Sequence, residues 1–304
     1  MAAVLNTNAA SLYASKNLQS AQSKMAGSVE RLSSGLRINR AKDDAAGLGI
    51  TNALTQQING ANQGVRNLND GISMVQTAEG AIAAAQDMAQ RILTLATQGA
   101  NGTLGTTERT AIQSEMRQLM TAIDGIGGRT KFSGNSLLNN VTDGSGTDIT
   151  LQVSNITTDT ITLSKTAFHK IGVGTGSTIP ADAGTFTGAG GSALMTAINV
   201  VNVRGSGSAA ATAMQDVQSA ANTYITTLST QRSLLGAYQG QIEFTVSNVT
   251  ELASNLSAAR SNVQDTDYAS ETASLTKGQI LQQAATAMLA QANQMPNVIL
   301  SLLK

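Results

Sequence analysis

The chain has 304 residues, with 19 basic side chains balanced by 19 acidic ones, no cysteine, and an aromatic content of 3% that includes no Trp. Balanced charge gives no field to gather nucleic acid or an anionic membrane, and the lack of cysteine excludes disulfides, thiol catalysis and thiolate metal centres. The 41% hydrophobic content is supplied largely by Ala, Leu, Ile and Val, which suit narrow seams between long helices better than a thick globular core.

The N-terminus, MAAVLNTNAASLYASKNLQS, has neither the basic stretch nor the continuous apolar run of a cleaved secretory signal. Ala14, Leu18, Ala21, Met25, Val29, Leu32 and Leu36 then fall three or four residues apart, which predicts one amphipathic helix with an apolar stripe. The charged turn Arg37, Arg40, Lys42, Asp43 and Asp44 reads as a solvated helix boundary.

Leu54, Ile58, Ala61, Val65, Leu68, Ile72, Val75, Ile82, Ala85, Ala89, Ile92 and Ala96 predict a coiled-coil helix over about 45 to 98. Such a helix is roughly 80 Å long at 1.5 Å per residue and must lie against others. Gly99 to Gly105 breaks it, and Ile112, Met116, Leu119, Ile123 and Ile126 predict a shorter antiparallel helix after a Thr106 N-cap.

Helical periodicity fails over residues 131 to 208, which are rich in Gly, Thr, Ser and Asp. Ile149, Leu151 and Val153 alternate, as do Ile161 and Leu163 beyond a Thr158/Asp159 turn, predicting a β-hairpin. Leu194, Ile198 and Val201 suggest one short helix after Ser192. A second long pattern follows: Met214, Val217, Ala221, Tyr224, Leu228, Leu235, Tyr238, Ile242, Val249, Leu252, Leu256, Ala259 and Val263. The final stripe, Leu281, Ala284, Met288, Ala292, Met295, Ile299 and Leu302, makes the two ends natural mates, with Pro296 expected to kink it or start a new turn. The fold class is therefore mainly α, a long antiparallel coiled-coil bundle with a small β-hairpin and loop insert in mid-chain.

No catalytic constellation is present. His169 is the only histidine, Gly172, Gly174 and Gly176 lack the Lys-Ser/Thr of a phosphate loop, and Asp43/Asp44 and Asp265/Asp267 lack the spaced ligands of a calcium loop. The reading is a non-enzyme without cofactor or metal, and with no apolar run of about 18 residues to insert in a membrane.

The stretches RLSSGLRINRAKDDAAGLGI (Arg31 to Ile50), RNLNDGISMVQTAEGA (Arg66 to Ala81), NVQDTDYASE (Asn262 to Glu271) and GQILQQAATAMLAQANQMPNVILSLL (Gly278 to Leu303) resemble the bacterial flagellins. The tail resembles the filament subunit rather than the related hook–filament junction proteins. The resemblance covers roughly residues 1 to 140 and 210 to 304, and implies a short form lacking the large outer variable domains. It implies an inner helical domain from 1–45 and 264–304, and an outer rod-like domain over 46–263 with the insert at about 131–208. It also implies an extracellular, helical homopolymer for swimming motility, exported by a type III route without a cleaved signal. The assembly stripes would then be Leu18, Met25, Leu32, Leu281, Met288, Met295 and Leu302. Implied partners are other copies, an export chaperone at the C-terminal segment, and filament cap and hook-junction proteins. Finally, Arg91, Leu95 and Glu115 match positions by which similar flagellins engage the innate Toll-like receptor, although Thr94 stands where those members carry an acidic residue. The same residues have a structural reading: Arg91 paired with Asp87, Leu95 at a seam edge and Glu115 an exposed charge. At this level both readings stand.

Overall fold

The computed structural model describes residues 8–138, 148–168, 170–171, 190–200 and 208–302. Two compact units emerge, one formed by Met1–Ile58 with Ala253–Lys304 and the other by Asn59–Leu252.

In the first unit, α1 (Ala9–Ser34) lies antiparallel to α6 (Tyr268–Leu302). Contacts fix the direction: Asn8 donates to the Ala292 carbonyl, Met25 lies over Gly278, and Arg31 reaches Glu271 at 3.7 Å. The expected pairing of the ends is present, but its register on α6 differs from the expected stripe. The less exposed positions of α6 are Leu275, Gly278, Gln282, Ala285, Leu289 and Ala292, a heptad in which small residues alternate with larger ones, facing Ala14, Leu18, Ala21, Met25, Ser28 and Leu32 of α1. Leu281 and Met288 are left outside this phase. The helix also runs through Pro296 as one element to Leu302, with no new helix starting there.

α1 ends as glycine allows: Gly35 adopts φ 72°, and its N–H returns to the Arg31 carbonyl. The chain then forms a bridge at Leu36 to Asp265, with Arg37 N donating to the Gln264 carbonyl at 2.7 Å and Thr266 N to the Gly35 carbonyl at 3.0 Å. Ile38, almost wholly buried, fills the bend against Gly47.

The second unit is a helical bundle. α2 (Ala45–Gly99) buries Ile58, Ala61, Leu68, Val75, Ile82, Ala85, Ala89, Ile92 and Ala96, as the heptad predicted. α5 (Ser208–Gln264) answers with Met214, Val217, Ala221, Tyr224, Leu228, Leu235, Ile242 and Val249. The two are antiparallel, since Gly99 meets Met214 while Glu79 pairs with Arg232. α3 (Thr106–Arg129) returns along α2 and buries Ile112, Met116, Met120 and Ile123. Its N-cap is Gly105, not Thr106, and no side chain caps it; Thr106 is already the first helical residue.

Between α3 and α5, β1 (Lys131–Phe132) and β2 (Asn135–Ser136) form a tight hairpin not expected from the sequence, turning through Ser133 (φ 50°) and Gly134 (φ 84°). β3 (Ile149–Gln152) and β4 (Thr160–Leu163) form the expected hairpin, with Ile149 opposite Leu163 and Leu151 opposite Ile161. α4 (Gly190–Val200) begins two residues before the expected Ser192 start and buries Leu194 and Ile198; Val201 lies outside the described residues. Gln113 of α3 donates to the Ile198 carbonyl of α4 at 2.7 Å.

Candidate interaction surfaces

The surface of the α1–α6 pair is where large apolar side chains lack cover. Tyr13 is 71% exposed and Met288 62%, with Leu12, Ile280 and Leu281 also exposed. Tyr13, Ala14, Ala21, Leu281, Ala284 and Met288 line one shallow groove along the pair. The seven expected stripe residues therefore divide. Leu18, Met25 and Leu32 are half-buried on the face of α1 that meets α6, whereas Leu281 and Met288 lie on the open side. The side chains of Met295 and Leu302 lie outside the described residues. The division follows the helical phase: with Gly278, Ala285 and Ala292 turned inward at spacings of seven, Leu281 and Met288, also seven apart, fall on a neighbouring, outward line.

A second surface lies where α2 and α3 run side by side. Arg91 pairs with Glu115 at 2.8 Å, both side chains about half exposed. The expected partner Asp87 is replaced because the antiparallel return of α3 places a carboxylate nearer than the one a turn away on α2. Leu95 is only 2% exposed, packed within the seam whose edge it was expected to occupy, and so offers little surface for a receptor contact. Thr94 remains exposed, with its hydroxyl donating to the Gln90 carbonyl. On α5, Phe244 is the most exposed large apolar side chain of the second unit.

The charged turn after α1 is a set of caps. Asp43 accepts from Arg40 N at 2.9 Å, and that backbone bond holds its carboxyl below the usual range. Asp44 accepts from Gly47 N at 2.8 Å and caps α2, Arg40 pairs with Glu30 at 2.7 Å, and Arg37 donates to the Val263 carbonyl. Asp267 caps α6 through Ala269 N, and Asp265 accepts from the Ser261 hydroxyl. Every one of these carboxylates has a local structural use. Among the described residues no three His, Cys, Asp or Glu gather as metal ligands. His169 and Gly172, Gly174 and Gly176 lie outside the described residues.

Sequence reasoning missed several structural residues. Arg109, 1% exposed, donates to the carbonyls of Gly99 and Asn101 and so satisfies the end of α2. Tyr224 is buried and donates to the Ile171 carbonyl; burial first, then the charge of Asp124, pushes its phenol above the ordinary range. Gly60, Gly64 and Gly71 form a track on α2 under the β3–β4 hairpin, where Asn67 also donates to the Gln152 carbonyl at 3.0 Å. No helix is long and apolar enough to cross a membrane among the described residues.

Comparison with known proteins gives a family for both ends of the chain. Residues 5–143 match the bacterial flagellin N-terminal helical region, and residues 210–303 match the bacterial flagellin C-terminal helical region. The flagellin of Bacillus subtilis (strain 168) is 39% identical over 99% of this chain and 99% of its own length. The flagellar filament 33 kDa core protein of Treponema phagedenis is 37% identical over 99% and 100%. A flagellar hook-associated protein structure from Vibrio parahaemolyticus shares the fold at a TM-score of 0.58 and 12% identity, covering 73% of this chain and all of the other.

Proposed function

This chain belongs to the bacterial flagellin family, and we propose that the open side of its α1–α6 pair is the face through which copies join in the flagellar filament. The chain is a structural filament subunit of the bacterial flagellum. The observation that carries the reading is the exposure of Tyr13, Leu281 and Met288 beside the α1–α6 seam. A soluble monomer gains nothing from such a row, whereas a neighbour covering it gains roughly 25 cal/mol per Å² of apolar area. On this reading the contact is head-to-tail, with a rotation that does not close a ring, and so generates an open helical polymer. On this reading residues 1–45 and 264–304 form the inner part and 46–263 the outer part. An export chaperone at the C-terminal segment, cap and hook-junction proteins as end partners, and export without a cleaved signal complete the proposal.

The test replaces Leu281 and Met288 with Asp. Covering two half-exposed side chains is worth about 2–3 kcal/mol, and two unpaired carboxylates in the contact add at least a similar cost. A total of about 5 kcal/mol raises the concentration needed for assembly roughly 10³-fold or more. Sedimentation and electron microscopy should show no filaments, while circular dichroism stays helical because neither residue is in the α1–α6 seam. Normal filaments would refute this assembly face.

A second role, as ligand of the innate Toll-like receptor for flagellin, is favoured by the exposed Arg91–Glu115 pair. The reading is narrower than the sequence suggested. It rests on the two charges and not on Leu95.

A further inference from the structure

Two Asn-Gly steps occur in the chain, Asn59–Gly60 and Asn101–Gly102. Both asparagines are exposed, so solvent access does not distinguish them. Their backbones do. Asn59 lies deep in α2, where the amide of the following glycine is part of the helical hydrogen-bond ladder. Asn101 lies in the turn between α2 and α3, and no hydrogen bond among the described residues uses the N–H of Gly102. A Cβ on Gly102 would meet nothing within 4 Å, so no packed group restrains that peptide.

We propose that Asn101 is a site of spontaneous deamidation and isoaspartate formation, chemistry that Asn59 is denied by its helix. In the first step the Gly102 backbone nitrogen, on losing its proton to solvent, attacks Asn101 Cγ. A nitrogen–carbon bond forms, the Cγ–NH2 bond breaks, and the amine takes up a proton and leaves as ammonia, giving a succinimide. Water then adds to either imide carbonyl and opens the ring, producing aspartate or, with the main chain rerouted through the side chain, isoaspartate. No oxidation occurs and water is the only co-reactant.

The turn assists this reaction in a specific way. Thr103 N donates to Asn101 Oδ1 at 3.2 Å, an Asx-type turn that folds the side chain over the Gly102 peptide. The oxygen receiving that bond is the one on which negative charge develops during attack, so the donor stabilises the tetrahedral intermediate as a small oxyanion hole. Two further bonds hold the other side of the turn: Leu104 N and Arg109 Nη2 both donate to the Asn101 main-chain carbonyl, the latter at 3.0 Å. In isoaspartate the main chain runs through Cβ and Cγ, one atom longer, and that carbonyl becomes a free α-carboxylate branching from the chain. The product therefore disturbs the contact by which buried Arg109 closes the end of α2.

The experiment incubates the folded chain and its urea-denatured form at mildly alkaline pH. Both asparagines are followed by peptide mapping with mass spectrometry and by enzymatic methyl labelling of isoaspartate. In the denatured chain the two sites should react alike. On folding, Asn59 should slow by about tenfold or more, the factor matching one net backbone hydrogen bond that must open, while Asn101 keeps or exceeds its denatured rate. Thr103→Pro, which removes the donor to Oδ1, should slow Asn101 while circular dichroism stays unchanged, and Gly102→Val should suppress it. Equal protection of both asparagines on folding would overturn the proposal. An unchanged Asn101 rate in Thr103→Pro would overturn the assistance by the Asx turn.

Discussion

Alanine at Gly64 and alanine at Gly80 should shift stability in opposite directions, although both glycines lie within the same helix, α2. A glycine inside a helix costs about 1 kcal/mol relative to alanine, because the unfolded chain gives up more freedom. At Gly80 a new Cβ meets nothing within 4 Å, so Gly80→Ala should stabilise by about 1 kcal/mol. At Gly64 a new Cβ would lie 1.6 Å from the Val153 carbonyl oxygen and 2.5 Å from its carbon, backbone atoms that cannot rotate away. The β3–β4 hairpin must lift by nearly 2 Å to reach ordinary contact. Lifting weakens the Asn67–Gln152 bond, worth about 1 kcal/mol, and uncovers Val153, whose full burial is worth about 1.5–3 kcal/mol. Set against the helix gain, the balance is a net loss of about 2 kcal/mol. Urea unfolding of the monomer followed by circular dichroism measures both variants, and hydrogen exchange at Leu151 and Val153 shows whether the hairpin opens first. Gly64→Ala stabilising as much as Gly80→Ala would refute the docking argument.

Two further outcomes are expected. Replacing Arg91 and Glu115 together with Ala should reduce receptor-reporter signalling by monomer about tenfold or more, since a charge-assisted contact is worth about 1.5–3 kcal/mol when desolvated, while the fold is kept because the pair is exposed; unchanged signalling leaves the pair as a local ion pair only. Gln231 occupies a seam position of α5, is 4% exposed, and its Oε1 has no partner among the described residues. Gln231→Leu should therefore raise stability by about 1–2 kcal/mol in the same urea assay, and a loss of stability would show that the buried amide makes a needed bond.

The parts of the fold legible in the sequence are those fixed by periodicity along one strand of chain. The α2 and α5 heptads could be read because Leu68, Val75, Ile82 and Ile92 on one helix, and Leu228, Leu235 and Ile242 on the other, repeat over many turns and become the buried face. What depended on a distant neighbour was not legible. Asp87 is the carboxylate visible one turn from Arg91, but the three-dimensional neighbour is Glu115, 24 residues on. Gly60, Gly64 and Gly71 carry no heptad signal, and only the hairpin some ninety residues later shows that their missing side chains are its seat. Nothing in the local sequence marks Arg109, whose partners are the carbonyls of Gly99 and Asn101 at and just beyond the end of α2.

The terminal pair illustrates why periodicity alone could not choose its register. α6 carries two adjacent phases at spacings of three and four, one through Leu281, Ala284 and Met288, the other through Gly278, Gln282, Ala285 and Leu289. Hydrophobicity favours the first for burial. The chain takes the second, with Gly278, beside Met25 of α1, and Gln282, Ala285 and Leu289 less exposed than Leu281 and Met288. A single helix partner can cover only one phase. Leu281 and Met288 stay outside, so the pair forgoes their apolar contacts while the chain is alone. On the proposed assembly face, further copies would supply the surface that covers Leu281 and Met288, and the choice of phase on α6 would then serve assembly.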